Sequence, residues 1–381
     1  MTKRIGFLIS HPIQYYAPIF RELAKHCDLT VFFAHRQTAE QQASAGFGVA
    51  FDWDVDLLSG YESRFLVNVA AQPSTDLFSG CDTPGVAEEI ERGRFDAFVV
   101  PGWALKSYWQ AVQACRRAGV LKMVRGDSQL GSQRKLIVRV AKSLAFPWVL
   151  RRFDRFLYVG ERNRAYLRHY GVPDRKMFFS PHCVDNDAFA QAAAAARTPT
   201  PGPGLQPGRK RVLFAGKLIA RKHPVDLLRA VALLPGQPVE VVFAGSGELE
   251  PVLRNVAREA GLKATFLGFV NQSGLPAVYA SCDLLILPSD ARETWGLVVN
   301  EAMACGMPAV VSDAVGCGPD LIEEGRTGAC FPLGDIAALS RAISEGLSWE
   351  RDSTRGFLKK KMDVYSPAGA ARAVVEAASL S

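Results

Sequence analysis

Residues 283–312 read DLLILPSDARETWGLVVNEAMACGMPAVVS. The stretch opens on an apolar run, DLLILP, short enough for a buried strand. A polar loop follows, and from Leu297 a helix is expected, reaching Cys305. Gly306 stops it, and Pro308 opens a second apolar run, PAVVS. Strand, loop, helix and strand inside thirty residues are the unit of a parallel α/β sheet. The loop also has chemistry. Gly296 allows close backbone access at a helix N-terminus, where the N–H groups of Trp295, Gly296 and Leu297 can face an anion. Glu293, ahead of the helix, is free to reach a sugar hydroxyl. Glu301, just over one turn inside, can accept from a ribose diol. Two carboxylates around an anion hole match a nucleoside-diphosphate sugar in shape and polarity. On spacing alone such a pair is usually solvated surface.

The rhythm continues upstream. Apolar runs stand at 212–216 (VLFAG), 239–244 (VEVVFA) and 264–268 (ATFLG), nearly continuous as in strands buried on both faces. Helices are expected over 224–234, with Pro224 in the first turn and Asp226 behind it, and over 248–260. The first half has the same alternation, with strands near 4–9, 28–34, 96–100, 121–125 and 155–159. Between the halves lies QAAAAARTPTPGPGLQPGRK, residues 191–210, whose Pro and Gly read as a linker. The expected architecture is α/β: two Rossmann-like doubly wound domains facing across a cleft, over 1–190 and 211–364, with a final helix in 365–381. In such sheets ligands sit at the carboxyl ends of the strands.

Composition agrees with 381 residues in two domains: 48% hydrophobic and 22% charged. The net charge of +7 suits anionic ligands such as diphosphates, or an anionic membrane surface, and is too scattered for nucleic acid. Eight cysteines include no C-x-x-C pair, which gives zinc and dithiol chemistry little support. No metal-ligand cluster is expected. The apolar run at 5–9 is too short for a signal peptide core, and none is long enough to span a bilayer, so the expected location is cytoplasmic. Residues 245–248 (GSGE) invite a dinucleotide fingerprint, but Glu250 occupies its third glycine position.

Taken together, the motifs resemble the retaining family-4 glycosyltransferases of GT-B fold. Glu293-x₇-Glu301-Ala302-Met303-Ala304-Cys305-Gly306 is similar to the E-x₇-E signature. Residues 212–223 (VLFAGKLIARKH), 242–248 (VFAGSGE), 266–269 (FLGF), 283–289 (DLLILPS) and 316–325 (GCGPDLIEEG) follow the family pattern in order. The resemblance implies that Glu293 binds the donor sugar, Glu301 the ribose, and Lys217 and Lys222 the diphosphate. Gly216, Gly245, Phe269, Val270, Thr294, Trp295, Gly296 and Leu297 complete the donor site, with base choice set near 268–270. Lys217 stands where the family has Arg, losing the planar fork, and His223 where it has Gly. Leaving-group stabilisation by lysines and a helix N-terminus needs no cation. No cofactor is implied beyond the nucleotide sugar as co-substrate, with uridine expected from its commonness. The implied reaction moves that sugar to a glycan or lipid-linked acceptor, in cell-surface polysaccharide or glycoconjugate synthesis. A GT-B sugar-nucleotide epimerase and a non-catalytic GT-B partner subunit are the rival readings.

The acceptor side departs from the family. The loop His11-Pro12-Ile13-Gln14-Tyr15-Tyr16 lacks the usual glycine pair and marks a sub-branch. Its His11, Gln14, Tyr15 and Tyr16 are placed to bond and stack on a sugar, or to cap a strand. Pro12 and Pro18 are expected to keep the loop out of a helix. Arg125 and Asp127 follow another strand near where the family has a histidine. Asp127 reads as an acceptor base or as a helix cap. His182-Cys183 reads as a packed turn or a thiol site. Finally, 134–152 is basic and aromatic with no acid, fitting an anionic membrane surface or a core helix with snorkelling charges.

Overall fold

The computed structural model describes residues 2–38, 51–131, 136–196, 209–236 and 238–380. The chain divides into two compact units. The first takes in the chain up to Gln37, Asp56–His182 and the segment from Ser366; the second takes in Cys183–Tyr365 and the stretch that ends at Val55.

In the first unit, β1 (Arg4–Ile9), β2 (Asp28–Phe33), β3 (Glu62–Phe65), β4 (Ala97–Val100), β5 (Leu121–Gly126), β6 (Arg155–Tyr158) and β7 (Met177–Phe179) form a parallel sheet. Its order is β3-β2-β1-β4-β5-β6-β7. Neighbouring residues of one strand enter opposite cores. Leu8 and Phe32 join Ile90, Ala111 and Tyr166 on one face, while Phe7 and Phe33 join Phe20 and Leu23 on the other. Period-two side chains with both faces covered explain why these strands are apolar throughout. The last helix, Pro367–Ser379, belongs to this unit, and its Ala371, Val374 and Ala377 lie in the second of these cores. The Ser180 hydroxyl donates to the Ala370 carbonyl at 3.2 Å.

In the second unit, β8 (Lys210–Ala215), β9 (Val239–Ala244), β10 (Lys263–Gly268), β11 (Leu284–Leu287), β12 (Ala309–Ser312) and β13 (Gly328–Phe331) are again parallel, in the order β10-β9-β8-β11-β12-β13. Helices Pro224–Ala232, Glu250–Glu259, Leu297–Ala304 and Ile336–Ser348 alternate with them. Both units therefore bear out the doubly wound α/β reading, and in both the order reverses, between β1 and β4 and between β8 and β11.

Three strands escape the sequence: β3, β7 and β13, which read ESRF, MFF and GACF. The helix Asn186–Ala196 lies in the second unit, so the division falls ahead of the 191–210 stretch. Its run of alanines favours helix to the point where the prolines begin. Residues 197–208 of that stretch lie outside the described residues. Pro18 does not hold off the helix Ala17–Ala24 but sits in its first turn, where its missing N–H costs nothing.

Candidate active site

Ligands of open α/β sheets bind beyond the carboxyl ends of the strands, where the order reverses. In the second unit that point lies between the loops after β8 and β11. Strand β8 ends at Ala215, and Gly216 turns the chain at φ +133°, donating to the Ala244 carbonyl at 2.8 Å. Gly245 turns at φ +143° and donates to Gly268 at 2.7 Å. A Cβ on Gly245 would lie 2.0 Å from the Gly216 carbonyl oxygen. Only glycine permits this approach, which packs three strand-end loops backbone to backbone.

The chain then passes Lys217 and a short turn, Ala220–Lys222, to His223, which adopts φ +50° and leads the helix Pro224–Ala232. A left-handed position explains why glycine suits it. His223 instead takes a 3.0 Å contact with the Asp226 carboxylate. Lys222 is buried, and its Nζ lies 2.8 Å from Glu293 Oε2. The β11 loop is stitched to the same place: the Asp290 amide donates to the Arg221 carbonyl at 2.9 Å, and Glu293 to Asp290 at 2.9 Å.

Behind Glu293 the loop is braced. Its carbonyl accepts from the Gly316 amide, and that of Trp295 from Cys317, each at 3.0 Å. A Cβ on Gly316 would fall 1.8 Å from the Thr294 carbonyl oxygen. The buried Trp295 indole donates to Asn300 Oδ1 at 2.8 Å and lies against Tyr365, centroids 5.9 Å apart. Gly296, at φ +102°, leads the helix Leu297–Ala304, whose first amides have no partner inside the helix. Leu297 is half-buried.

Glu301 differs from the sequence reading. Its side chain is turned inward, 0% exposed, and accepts from the Tyr279 hydroxyl at 2.6 Å. Near 268–270, the Phe269 ring meets Phe51 at 4.3 Å, the Asn271 amide donates to the Asp52 carbonyl at 2.8 Å, and the Ser273 amide to Asp54 at 3.1 Å. Val270 is half-buried beside them.

In the first unit, His11 follows β1 and lies 3.0 Å from the Ser10 hydroxyl. Burial and the neighbouring His35 push its pKa down to about 4, against the pull of Asp76. Gln14 and Tyr15 are half-buried. Arg125, read as an acceptor ligand, is 1% exposed. Its guanidinium donates to the Ser180 hydroxyl at 3.1 Å, the Ser180 carbonyl at 3.3 Å, the Pro181 carbonyl at 2.8 Å and the Tyr16 hydroxyl at 3.1 Å. Arg125 and Tyr16 therefore act as an internal tie, because these carbonyls need a donor more than solvent needs the charge. Burial, then Arg125, hold His182 down to about 3, while Asp127 acts in the opposite sense. Asp127 lies well ahead of the described start of Leu136–Leu150 and does not cap it.

Sequence reading missed Tyr279, Asn300, Gly316 and the 51–54 segment; of these only Gly316 carried a signal, its place in GCG. Among the described residues no group of His, Cys, Asp and Glu could hold a metal ion, and no helix is long and apolar enough to cross a membrane.

The two parallel sheets with interleaved helices are those of a GT-B fold. Residues 201–360 match the family Glycosyl transferases group 1. Over 154 residues the chain is 41% identical to the D-inositol 3-phosphate glycosyltransferase of Mycolicibacterium smegmatis, covering 39% of this chain and 35% of that one. Over 116 residues it is 39% identical to an uncharacterized glycosyltransferase of Methanocaldococcus jannaschii, 30% of each chain. The match thus spans about a third of the length of these relatives. HepE from Anabaena, solved with UDP, shares the fold with a TM-score of 0.70 at 18% identity, over 98% of this chain and 99% of that chain. The lipopolysaccharide outer core galactosyltransferase WaaB does so at 0.66 and 15%, over 98% of each.

Proposed function

We propose that the chain transfers a sugar, with retention of configuration, from a nucleoside-diphosphate donor to a glycan or lipid-linked acceptor in the synthesis of a cell-surface polysaccharide or glycoconjugate. The observation that carries this is the Lys222–Glu293 pair at the strand-order reversal, beside the glycine-lined turn at Gly216 and the helix N-terminus at Gly296. Lys217, Lys222 and the amides of 295–297 hold the diphosphate. Glu293 positions the sugar. The base lies against Phe269 and Val270, with Gly245 and Thr294 lining the floor. Glu301 gives up the Tyr279 hydroxyl and takes the ribose diol in its place.

The acceptor is bound by the loops of the first unit, His11, Gln14 and Tyr15 among them, with Asp127 orienting its hydroxyl. The leaving phosphate accepts the acceptor proton on the face from which the sugar departs, and no protein nucleophile takes part. Two lysines and a helix N-terminus carry the developing charge, so activity persists in a chelator. The basic segment 134–152 holds the enzyme on the inner face of an anionic membrane.

A thermal-shift panel of nucleotide sugars, uridine first because HepE is solved with UDP, tests the reading. A specific donor raises the melting temperature, the more so the tighter it binds, through the logarithm of its concentration over Kd. Product analysis of that donor with candidate acceptors then shows transfer. No shift with any nucleotide diphosphate would overturn the proposal. An altered sugar nucleotide formed without acceptor would show an epimerase instead.

A further inference from the structure

In the first unit the acceptor-side loops stand at the carboxyl ends of β1 and β5. Each crossover helix of a parallel sheet runs back to the opposite edge. At that edge lies a groove of about 1120 Å³, far from those loops. Its walls are the end of helix Lys106–Ala118, the end of helix Leu136–Leu150 and the residues just beyond it.

Trp109, Arg116, Arg117, Trp148, Arg151 and Arg152 line the groove. On its floor Lys122 and Asp154 pair at 2.6 Å and cancel one another. The four arginines are exposed, and among the described residues none has an acidic partner. Arg151 instead lies over the Trp148 ring, 5.0 Å from its centroid. Two other arginines of this unit are tied to carboxylates, Arg168 to Asp174 and Arg64 to Glu89, each at 2.8 Å. A helix C-terminus favours a nearby cation, which accounts for one arginine at each helix end, not for two pairs facing one groove. Nor does it account for Trp148, left 68% exposed among them.

An exposed indole beside unpaired guanidinium groups is the pattern of a membrane interface. The ring enters the head-group layer and the guanidinium groups take phosphate oxygens. We propose that this groove seats the phosphate head groups of an anionic bilayer, with Trp148 inserted in the interface. The inference rests on the membrane reading given above and relocates it. The contact is made by 148–152 together with Arg116 and Arg117 of the preceding helix, rather than by 134–152 as a whole. The sheet edge that meets the lipid is the one opposite the acceptor-side loops.

Co-sedimentation of the full chain with phosphatidylcholine vesicles, with and without phosphatidylglycerol, tests this at low and raised salt. The wild type is expected to bind only the anionic vesicles and to release them as salt rises. Each arginine contributes roughly fivefold, so R151Q/R152Q should bind more than tenfold more weakly. Trp148→Ala should weaken binding, and the fluorescence shift on adding vesicles should vanish in Trp148→Phe. All three variants keep the nucleotide-induced thermal shift, which reports fold and donor site. Equal vesicle binding by R151Q/R152Q and wild type would overturn the groove while leaving membrane association to another surface. No binding by the wild type would overturn both, with the transferase reading still judged by donor binding. Competition by soluble glycerol phosphate at concentrations matching the lipid would overturn the bilayer and point to a free phosphate ligand.

Discussion

Lys222 Nζ stands 2.8 Å from Glu293 Oε2, and the two residues come from the loops after β8 and β11, the neighbours between which the strand order reverses. Both side chains are mostly covered, 10% and 15% exposed. A covered ion pair adds little net stability, because desolvation offsets attraction. Its consequence here is positional. Each charge holds the other ahead of the helix that Gly296 leads; on the proposed function, an arriving diphosphate would compete with Glu293 for Lys222 and set the carboxylate free for the sugar.

Glu293→Gln removes that competitor and keeps the shape. Nucleoside diphosphate affinity should hold or tighten, while transfer falls by about 100-fold or more, the scale of losing one preorganised transition-state contact. Lys222→Met leaves an uncompensated carboxylate facing the anion, and affinity should fall by about 2 kcal/mol, roughly thirtyfold. Calorimetry and turnover on both variants check this. Equal losses of affinity in the two would show that the pair is structural and does not exchange.

Tyr279→Phe separates two roles for Glu301. The hydroxyl donates to a fully covered carboxylate. Its removal should destabilise the free protein by about 1–3 kcal/mol. If a ribose diol replaces that hydroxyl in the complex, nucleotide binding recovers part of the loss, and the thermal shift on adding nucleotide grows beyond that of wild type. A shift equal to wild type would place Glu301 in the core and outside the donor site.

The strand, loop and helix of 284–304 were legible because the parts are consecutive: a strand buried at every position, a glycine, and a helix. Strand β9 is read residue for residue for the same reason, since VEVVFA is covered on both faces. What stayed hidden depends on partners distant in the chain. Tyr279 meets Glu301 across a helix pair, and Phe51 comes from the first half to stand against Phe269 of the second unit. Arg125 shows the limit most clearly. An arginine near the end of a strand looks the same whether it faces a ligand or, as here, the Ser180 and Pro181 carbonyls.

Gly316→Ala should displace the loop 289–296, proposed above to hold the donor. The added Cβ meets the Thr294 backbone, which cannot swing away as a side chain would. Loss of nucleotide binding is expected, with destabilisation of about 1–3 kcal/mol, the cost of overpacking. Gly318→Ala, two residues on, meets nothing nearer than 3.7 Å and should change stability by less than about 1 kcal/mol. Melting temperatures and nucleotide titrations of the two compare backbone crowding with ordinary substitution. Similar behaviour of both would remove the bracing role of Gly316.

Stability should fall as pH drops from 6.5 towards 4. His11 and His182 ionise in the folded chain at about 4 and about 3, against an ordinary 6.5. Over that window the unfolded chain binds protons that the folded chain refuses, so stability rises with pH and is complete above 6.5. Each histidine contributes at most about 1.4 kcal/mol per pH unit. The groups facing them do not reverse the sign: His35 and Arg125 repel the added proton, and Asp76 and Asp127 only reduce the effect. Asp290 beside Arg292 starts from an ordinary value of 3.8 and acts below the window, while Glu22 and Glu323, held by lysines, start from 4.5 and add in the same sense at its lower end. Melting temperature against pH should therefore slope upward from 4 to 6.5 in wild type and flatten in His182→Gln. An unchanged slope in both His182→Gln and His11→Gln would assign the pH dependence to other groups.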